Sequence, residues 1–447
     1  MALFDPLFGW HEVDELFTDH ATVQRMLDFE AALARAEART GLIPASVVEP
    51  IVCNCRAHFF DVATLAKSGA RAGNVAIPLV KELTARVEAS HRDAAGFVHW
   101  GATSQDVIDT ATVLQLREAL KLIERELGRL FDTLCDLAER HRSTPIAGRT
   151  WMQHAVPIVL GLKIAGWADA LGRHAERVTR SREQVAVLQF GGAAGTLASL
   201  GKQGIGVARA LASELDLALP AMPWHAHRDR LVEAATVLAL LTGTLSKIAR
   251  DLSLLSQTEL SEILEPSGEG RGASSTMPQK RNPVTAAAVL AAATRVPGLV
   301  STLLSAMVQE NERGLGGWHA EWETLPEVVR LTAGAVHHLA DTVVDVQICP
   351  DRMQYNLDAT SGLIFAEAIT MALARFLGKS QAHAIIESCA RQATLDRQHL
   401  RDVVHKDARV TAHLSPPQID ALFDPLSYAG VASEFIDRVI ARRSAKD

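Results

Sequence analysis

The stretch GASSTMPQKRNP, Gly272 to Pro283, sets the hydroxyls of Ser274, Ser275 and Thr276 beside Lys280, Arg281 and Asn282. Cations, an amide and hydroxyls in this density can bind a carboxylate and stabilise it as it takes on extra negative charge. A serine among them can move a proton if nearby cations and backbone amides stabilise its alkoxide. Together they suit proton transfer at a carbon next to a carboxylate. Gly268, Gly270 and Gly272 lie just upstream or at its start and permit the movement of a closing lid. No Gly-Lys-Ser/Thr occurs within this stretch, so it is not a nucleotide phosphate loop.

Three further polar islands interrupt the apolar chain. In HWGATSQDVIDT (His99–Thr110), Thr103, Ser104 and Asp106 are helix-capping types. A helix start also attracts anions, so capping and ligand binding can coexist there. In GRTWMQHAVP (Gly148–Pro157), Gln153 and His154 precede a proline expected to open a helix. His154 reads equally well as a structural histidine or as a site residue among Arg149, Thr150 and Gln153. FGGAAGTLASLG (Phe190–Gly201) lacks the G-x-G-x-x-G spacing and a preceding strand, so it reads as a glycine-rich bend. His225-x-His227 and His337–His338 have no carboxylate or cysteine at ligand spacing, and no metal site is expected. Five cysteines without regular spacing, of which only Cys53 and Cys55 lie close, fit a reducing compartment.

Helices must position these islands. Val107–His141 contains no proline except beyond its end, and Val113, Leu116, Leu120, Ile123, Leu127, Leu130, Leu134 and Leu137 step by three and four. That is an apolar seam on a long helix. Leu231–Ile263 repeats the pattern, and Pro157–Gln189, Val284–Val308 and Glu327–Val344 are further candidates. Such helices bury their faces in a bundle, and their length points to a core extended by other subunits. Alternating strand signals with Asn-Gly turns are almost absent. The expected architecture is all-α, with a helical segment over 1–106, a central long-helix bundle over 107–345 and a smaller helical unit over 346–447.

Bulk properties narrow the function classes. A net charge of −7 argues against a general nucleic-acid binder. The most apolar run, Thr285–Val308, carries Arg295 and Pro297 near its middle. A central Arg costs ~2.5–3.5 kcal/mol on insertion, so a buried core helix is expected rather than a membrane span. The first residues carry acids and no basic segment, unlike a secretory signal. A cytoplasmic enzyme is the expectation.

GASSTMPQKRNP resembles the signature loop of the fumarase/aspartase superfamily, G-S-S-x-M-P-x-K-x-N-P, with Ala273 at one small position. GATSQDVIDT resembles its T-S-x-D segment, GRTWMQHAVP its G-R-T-H-x-Q-x-A-x-P segment, and LDFEAALARAEARTGLIP its N-terminal helix. The resemblance spans most of the chain and implies a three-domain helical fold. It also implies a homotetramer with active sites built from three segments on different subunits, and no cofactor. It assigns Ser274 as the catalytic serine and Lys280 and Asn282 as carboxylate-binding residues. Thr103, Ser104 and Gln153 match substrate-binding positions.

Two departures refine this. Most members carry a His where this chain has Trp151, and a Glu seven residues after the signature Lys, where it has Ala287. That His and Glu form an acid/base pair in those members. Losing one alone would strand a buried partner at a cost of roughly 1–3 kcal/mol, so their joint loss is coherent. Trp151, GNVAIP (Gly73–Pro78) and ERGLGGWHAEW (Glu312–Trp322) resemble the bacterial 3-carboxy-cis,cis-muconate cycloisomerase branch. That branch implies lactone closure to 4-carboxymuconolactone in the protocatechuate arm of the β-ketoadipate pathway. The substrate's own ionised carboxylate is the nucleophile, so a second acid/base pair has less to do. The resemblance then implies Ser274, Lys280 and His154 at the chemistry. His99, Trp151, Ser275 and Arg313 join Thr103, Ser104, Gln153 and Asn282 around a polycarboxylate. The alternative is an adenylosuccinate- or argininosuccinate-type lyase releasing fumarate, against which Trp151 counts.

Overall fold

The computed structural model describes residues 3–268, 272, 276–277 and 279–443. The chain is all-α in class: among the described residues, the sheets are two two-stranded pairs. It divides into two compact units, one of Met1–Leu127, His174–Leu245 and Ala288–His338, the other of Gly128–Arg173, Ser246–Ala287 and Leu339–Asp447.

Helix α1 (Asp19–Arg39) starts at Thr18, whose hydroxyl accepts the Ala21 N–H at 3.3 Å. It ends where Gly41 takes φ +73°. Its inner face buries Val23, Met26, Leu27, Leu33 and Ala34, and also two acids, Glu30 and Glu37. Helix α2 (Ser104–Arg140) is the longest, and every seam residue from Val113 to Leu137 is buried. The spacing of three and four therefore reports burial along its whole length.

A β-hairpin follows, where the sequence was expected to lead straight into a helix. Strands β1 (Pro145–Thr150) and β2 (Gln153–Val159) pair antiparallel. Trp151 and Met152 form the two-residue turn at φ +50° and +64°. Tight hairpins need this left-handed backbone, which Asn-Gly supplies most easily. Trp-Met gives no such cue, which is why the hairpin is illegible from the sequence. Gly148 lies at a register shift, and a Cβ there would sit 2.7 Å from the Val156 carbonyl.

Four more long helices complete the frame: α3 (Leu160–Val185), α4 (Asp229–Leu255), α5 (Val284–Ala306) and α6 (Gly317–Val344). Helix α4 stops eight residues short of Ile263, because the chain leaves it to pair Ile263–Leu264 with Gln347–Ile348. Helix α6 begins ten residues before Glu327 and keeps Pro326 inside it. Helices α4 and α5 are long and apolar enough to cross a membrane by length and composition, with 50% and 33% of their apolar windows buried. The smaller helices after Pro350 surround a core that includes Ile369, Leu373, Ile386, Leu400 and Val404.

Candidate active site

The first unit builds its polar centre on the first turns of α2. Asp106 is completely buried and accepts five hydrogen bonds. Its Oδ1 takes the Gly191 N–H at 3.0 Å, Gln189 Nε2 at 3.2 Å and His225 Nε2 at 2.7 Å. Its Oδ2 takes the Gly192 N–H at 2.9 Å and the Thr103 N–H at 3.1 Å. Asp106 thus caps the helix, as its residue type suggested, and also ties the glycine-rich bend at 190–201 to it. One turn on, Asp109 accepts both terminal nitrogens of Arg228 at 2.7 and 2.9 Å. The same guanidinium also donates to Glu321, from Nε at 2.9 Å and from Nη2 at 2.6 Å. Arg228 is 1% exposed, so its charge is balanced wholly inside the protein.

Gln105, buried beside these groups, donates from Nε2 to Asp109 Oδ2 at 3.1 Å and keeps its carbonyl oxygen for a second partner. It accepts Arg313 Nε at 3.2 Å, while Thr103 Oγ1 accepts Nη1 at 2.9 Å and Ser104 Oγ accepts Nη2 at 3.3 Å. The structure therefore brings Arg313 onto Thr103 and Ser104 across more than two hundred residues of chain. Arg313 is held by three neutral oxygens and has no carboxylate partner among the described residues. Its charge, with the positive end of α2 beneath it, is available to an anion.

His99 precedes this cluster in a left-handed conformation, φ +57°. Its Nδ1 lies 2.7 Å from Glu30 Oε1. Burial alone would push the imidazole down, but the Glu30 carboxylate and hydrogen bond outweigh it, and the pKa ends above the ordinary value.

In the second unit the hairpin carries three of the expected residues. Trp151 stands at its tip and is 98% exposed. Gln153 is exposed beside it, and His154 pairs across the strands with Arg149. His154 is half-buried, and its Nδ1 is buried without a hydrogen-bond partner. Burial, then the charge of Arg149, pushes its pKa below the usual imidazole value, with Glu262 opposing. Arg149 itself is spent: it makes a two-pronged pair with Glu262 at 2.8 and 2.7 Å, and Asn356 donates to the same carboxylate at 2.8 Å.

The signature segment is partly described. Ser274 and Ser275 lie outside the described residues. Lys280 is exposed, and its N–H donates to Met277 O at 3.1 Å. The Asn282 N–H donates to Gly272 O at 3.0 Å, and Gly272 takes φ +66°, with the Asn282 carbonyl 2.8 Å from where a Cβ would be. Arg281 is a scaffold residue, donating to Gln347 Oε1 at 2.9 Å and to the Glu265 carbonyl at 2.8 Å. The Glu265 carboxylate caps α5 through the N–H groups of Thr285 and Ala286. The start of α5 is thereby filled by the protein's own acid, and Ala287 follows on an exposed position.

Glu30, Glu262, Arg228 and Glu321 organise these clusters and carry no sequence signal, because their partners lie 69 to 113 residues away or more. The histidines at 225 and 337 have no carboxylate at ligand spacing in the sequence. The fold supplies one to each, Asp106 at 2.7 Å and Glu126 at 3.0 Å.

Long helices capped by buried acids, an arginine on T-S-x-D and a K-x-N-P segment mark the fumarase/aspartase superfamily, to which the chain belongs. A family model described as "Lyase" matches residues 11–298, and one described as "Adenylosuccinate lyase C-terminus" matches 362–439. The chain is 54% identical over 443 residues to a 3-carboxy-cis,cis-muconate cycloisomerase of Pseudomonas aeruginosa, covering 99% of this chain and 96% of that one. It is 53% identical to an enzyme of the same name from Bradyrhizobium diazoefficiens, over 94% of each chain. Among solved structures it resembles the 3-carboxy-cis,cis-muconate lactonizing enzyme of Pseudomonas putida, with a TM-score of 0.95, 49% identity and 99% of both chains covered.

Proposed function

We propose that the chain is a cycloisomerase that closes 3-carboxy-cis,cis-muconate to 4-carboxymuconolactone. The observation that carries the reading is Arg313, a guanidinium held only by neutral oxygens at the start of α2 and so open to a substrate carboxylate. Thr103 and Ser104 share that contact. Lys280 and Asn282 bind the other carboxylates, with Ser275, Gln153, His99 and Trp151 lining the substrate. Ser274 handles the proton at carbon, and His154, its pKa held below the ordinary imidazole value by burial and Arg149, serves the chemistry as an uncharged ring.

In the reaction one substrate carboxylate oxygen adds across a C=C bond. The π electrons move to the adjacent carbon, next to a second carboxylate, and that carbon takes a proton. A C–O and a C–H bond form, and nothing leaves. Trp151 and Ala287 stand where other members keep a helper His and Glu, which fits a nucleophile that is already ionised.

The active assembly in this reading is a cytoplasmic homotetramer of three-domain subunits. Exposed apolar residues on the long helices, such as Leu240 and Leu304, each 53% exposed, support burial by further copies. The test is a substrate panel. Loss of muconate absorbance with 3-carboxy-cis,cis-muconate is expected, with no fumarate from adenylosuccinate or argininosuccinate. Fumarate release from either would overturn the reading in favour of a lyase.

A further inference from the structure

Helix α1 carries two acids on its buried face, Glu30 at 1% and Glu37 at 0% exposure. An apolar side chain at either place would pack without a desolvation cost, so an acid there needs a reason. The two differ in partner. Glu37 has no hydrogen bond to either oxygen, and burial, then the nearby charge of Glu30, pushes its pKa up to about 9. Glu37 is therefore a neutral acid. Glu30 has one oxygen on His99 Nδ1 at 2.7 Å and none on the other. Its one engagement is with a histidine in the segment that carries Thr103 and Ser104.

The histidine is held to match. The chain bends sharply at His99 and again at Gly101, whose φ is +74° and where a Cβ would lie 2.4 Å from Leu200 Cδ2. The His99 side chain is 19% exposed, so one edge faces inward to Glu30 and the other reaches the surface. Its Nε2 has no hydrogen bond within the described residues. The charged groups acting on the ring are Glu30 from α1 and Asp106 from the first turn of α2, and both favour its protonated form.

Resting on the function proposed above, we infer that Glu30 is a positioning residue for the substrate's carboxylate. It fixes a proton on His99 Nδ1 and keeps the ring cationic, so that Nε2–H becomes a second charged donor in the segment that Arg313 grips. Glu37 takes up the proton that two neighbouring buried acids cannot both do without.

The test uses the full-length enzyme and propane-1,2,3-tricarboxylate, an inert tricarboxylate, with binding followed by calorimetry from pH 6 to 9. Glu30→Gln keeps an oxygen for the Nδ1 proton and removes the charge. It should weaken binding about tenfold at pH 8, the equivalent of one pKa unit, and approach wild type near pH 6. Glu30→Asp should fall between the two, which also covers a Gln variant that does not fold. In a His99→Gln background, Glu30→Gln should have no further effect. A loss of equal size at every pH, a full Glu30→Gln effect without His99, or no binding by wild type at millimolar ligand would each overturn the inference. Because binding needs no turnover, a failure of the cycloisomerase assay with an intact pH signature would fall on the function alone.

Discussion

Two groups of buried charge in the first unit obey opposite rules. Around Asp106, Asp109, Arg228 and Glu321 every carboxylate oxygen is met by nitrogen donors, and the Arg228 guanidinium is spent within the cluster. On α1, Glu30 has one partner and Glu37 has none. The first arrangement is scaffold. Its desolvation cost is offset inside the protein, and it fixes the start of α2. The second is kept unsatisfied, which stability alone does not explain. Arg313 lies at the boundary, hydrogen-bonded to three oxygens and yet without a counter-charge. In the proposed function it is the charge without a counter-charge, at Arg313, that receives the substrate.

The sharpest way to break this contrast is Arg228→Leu. It would leave Asp109 and Glu321 buried without their shared cation, at a cost of about 3–5 kcal/mol. Urea unfolding should show a large drop in midpoint or loss of soluble protein; an unchanged midpoint would remove Arg228 from the scaffold. Arg313→Leu should behave in the opposite way. It strands three neutral oxygens at the start of α2, two of them on the half-buried Thr103 and Ser104, so the thermal midpoint should move little. Its kcat/KM should fall ~100-fold, about 2.7 kcal/mol of transition-state binding. Loss of stability without loss of kcat/KM would reverse the assignment.

Glu37→Leu is the smallest and most diagnostic change. In the folded chain the acid holds its proton up to about pH 9, while the unfolded chain releases it near 4.5. Wild type therefore binds more protons folded than unfolded in that window, and its stability falls as pH rises through it. The Leu variant should be more stable at pH 8, with the gap closing toward pH 5. A gap independent of pH would mean that Glu37 is not the neutral acid of the pair.

The helices of this site were legible and its charge partners were not. Seam residues such as Leu116, Leu127 and Leu134 repeat every three or four positions because a helix buries one face, and all are buried. The three polar motifs were equally plain. The Glu262 side chain that anchors Arg149 lies 113 residues from it, and no local pattern links them. The same holds for Glu30 and His99. The hairpin at 145–159 was hidden for another reason. Its Trp-Met turn adopts a backbone that neither residue favours, so local propensity pointed away from it. Where side chains and backbone are set by distant partners, a single sequence offers residue types without geometry.

The central claim is that this site joins a carboxylate to a double bond and protonates the neighbouring carbon without releasing a fragment. Turnover of 3-carboxy-cis,cis-muconate in deuterated water, followed by NMR, tests it directly. The account predicts one product, 4-carboxymuconolactone, carrying a single deuteron on the carbon beside the new C–O bond. Release of fumarate, loss of carbon dioxide or a product without deuterium would contradict it.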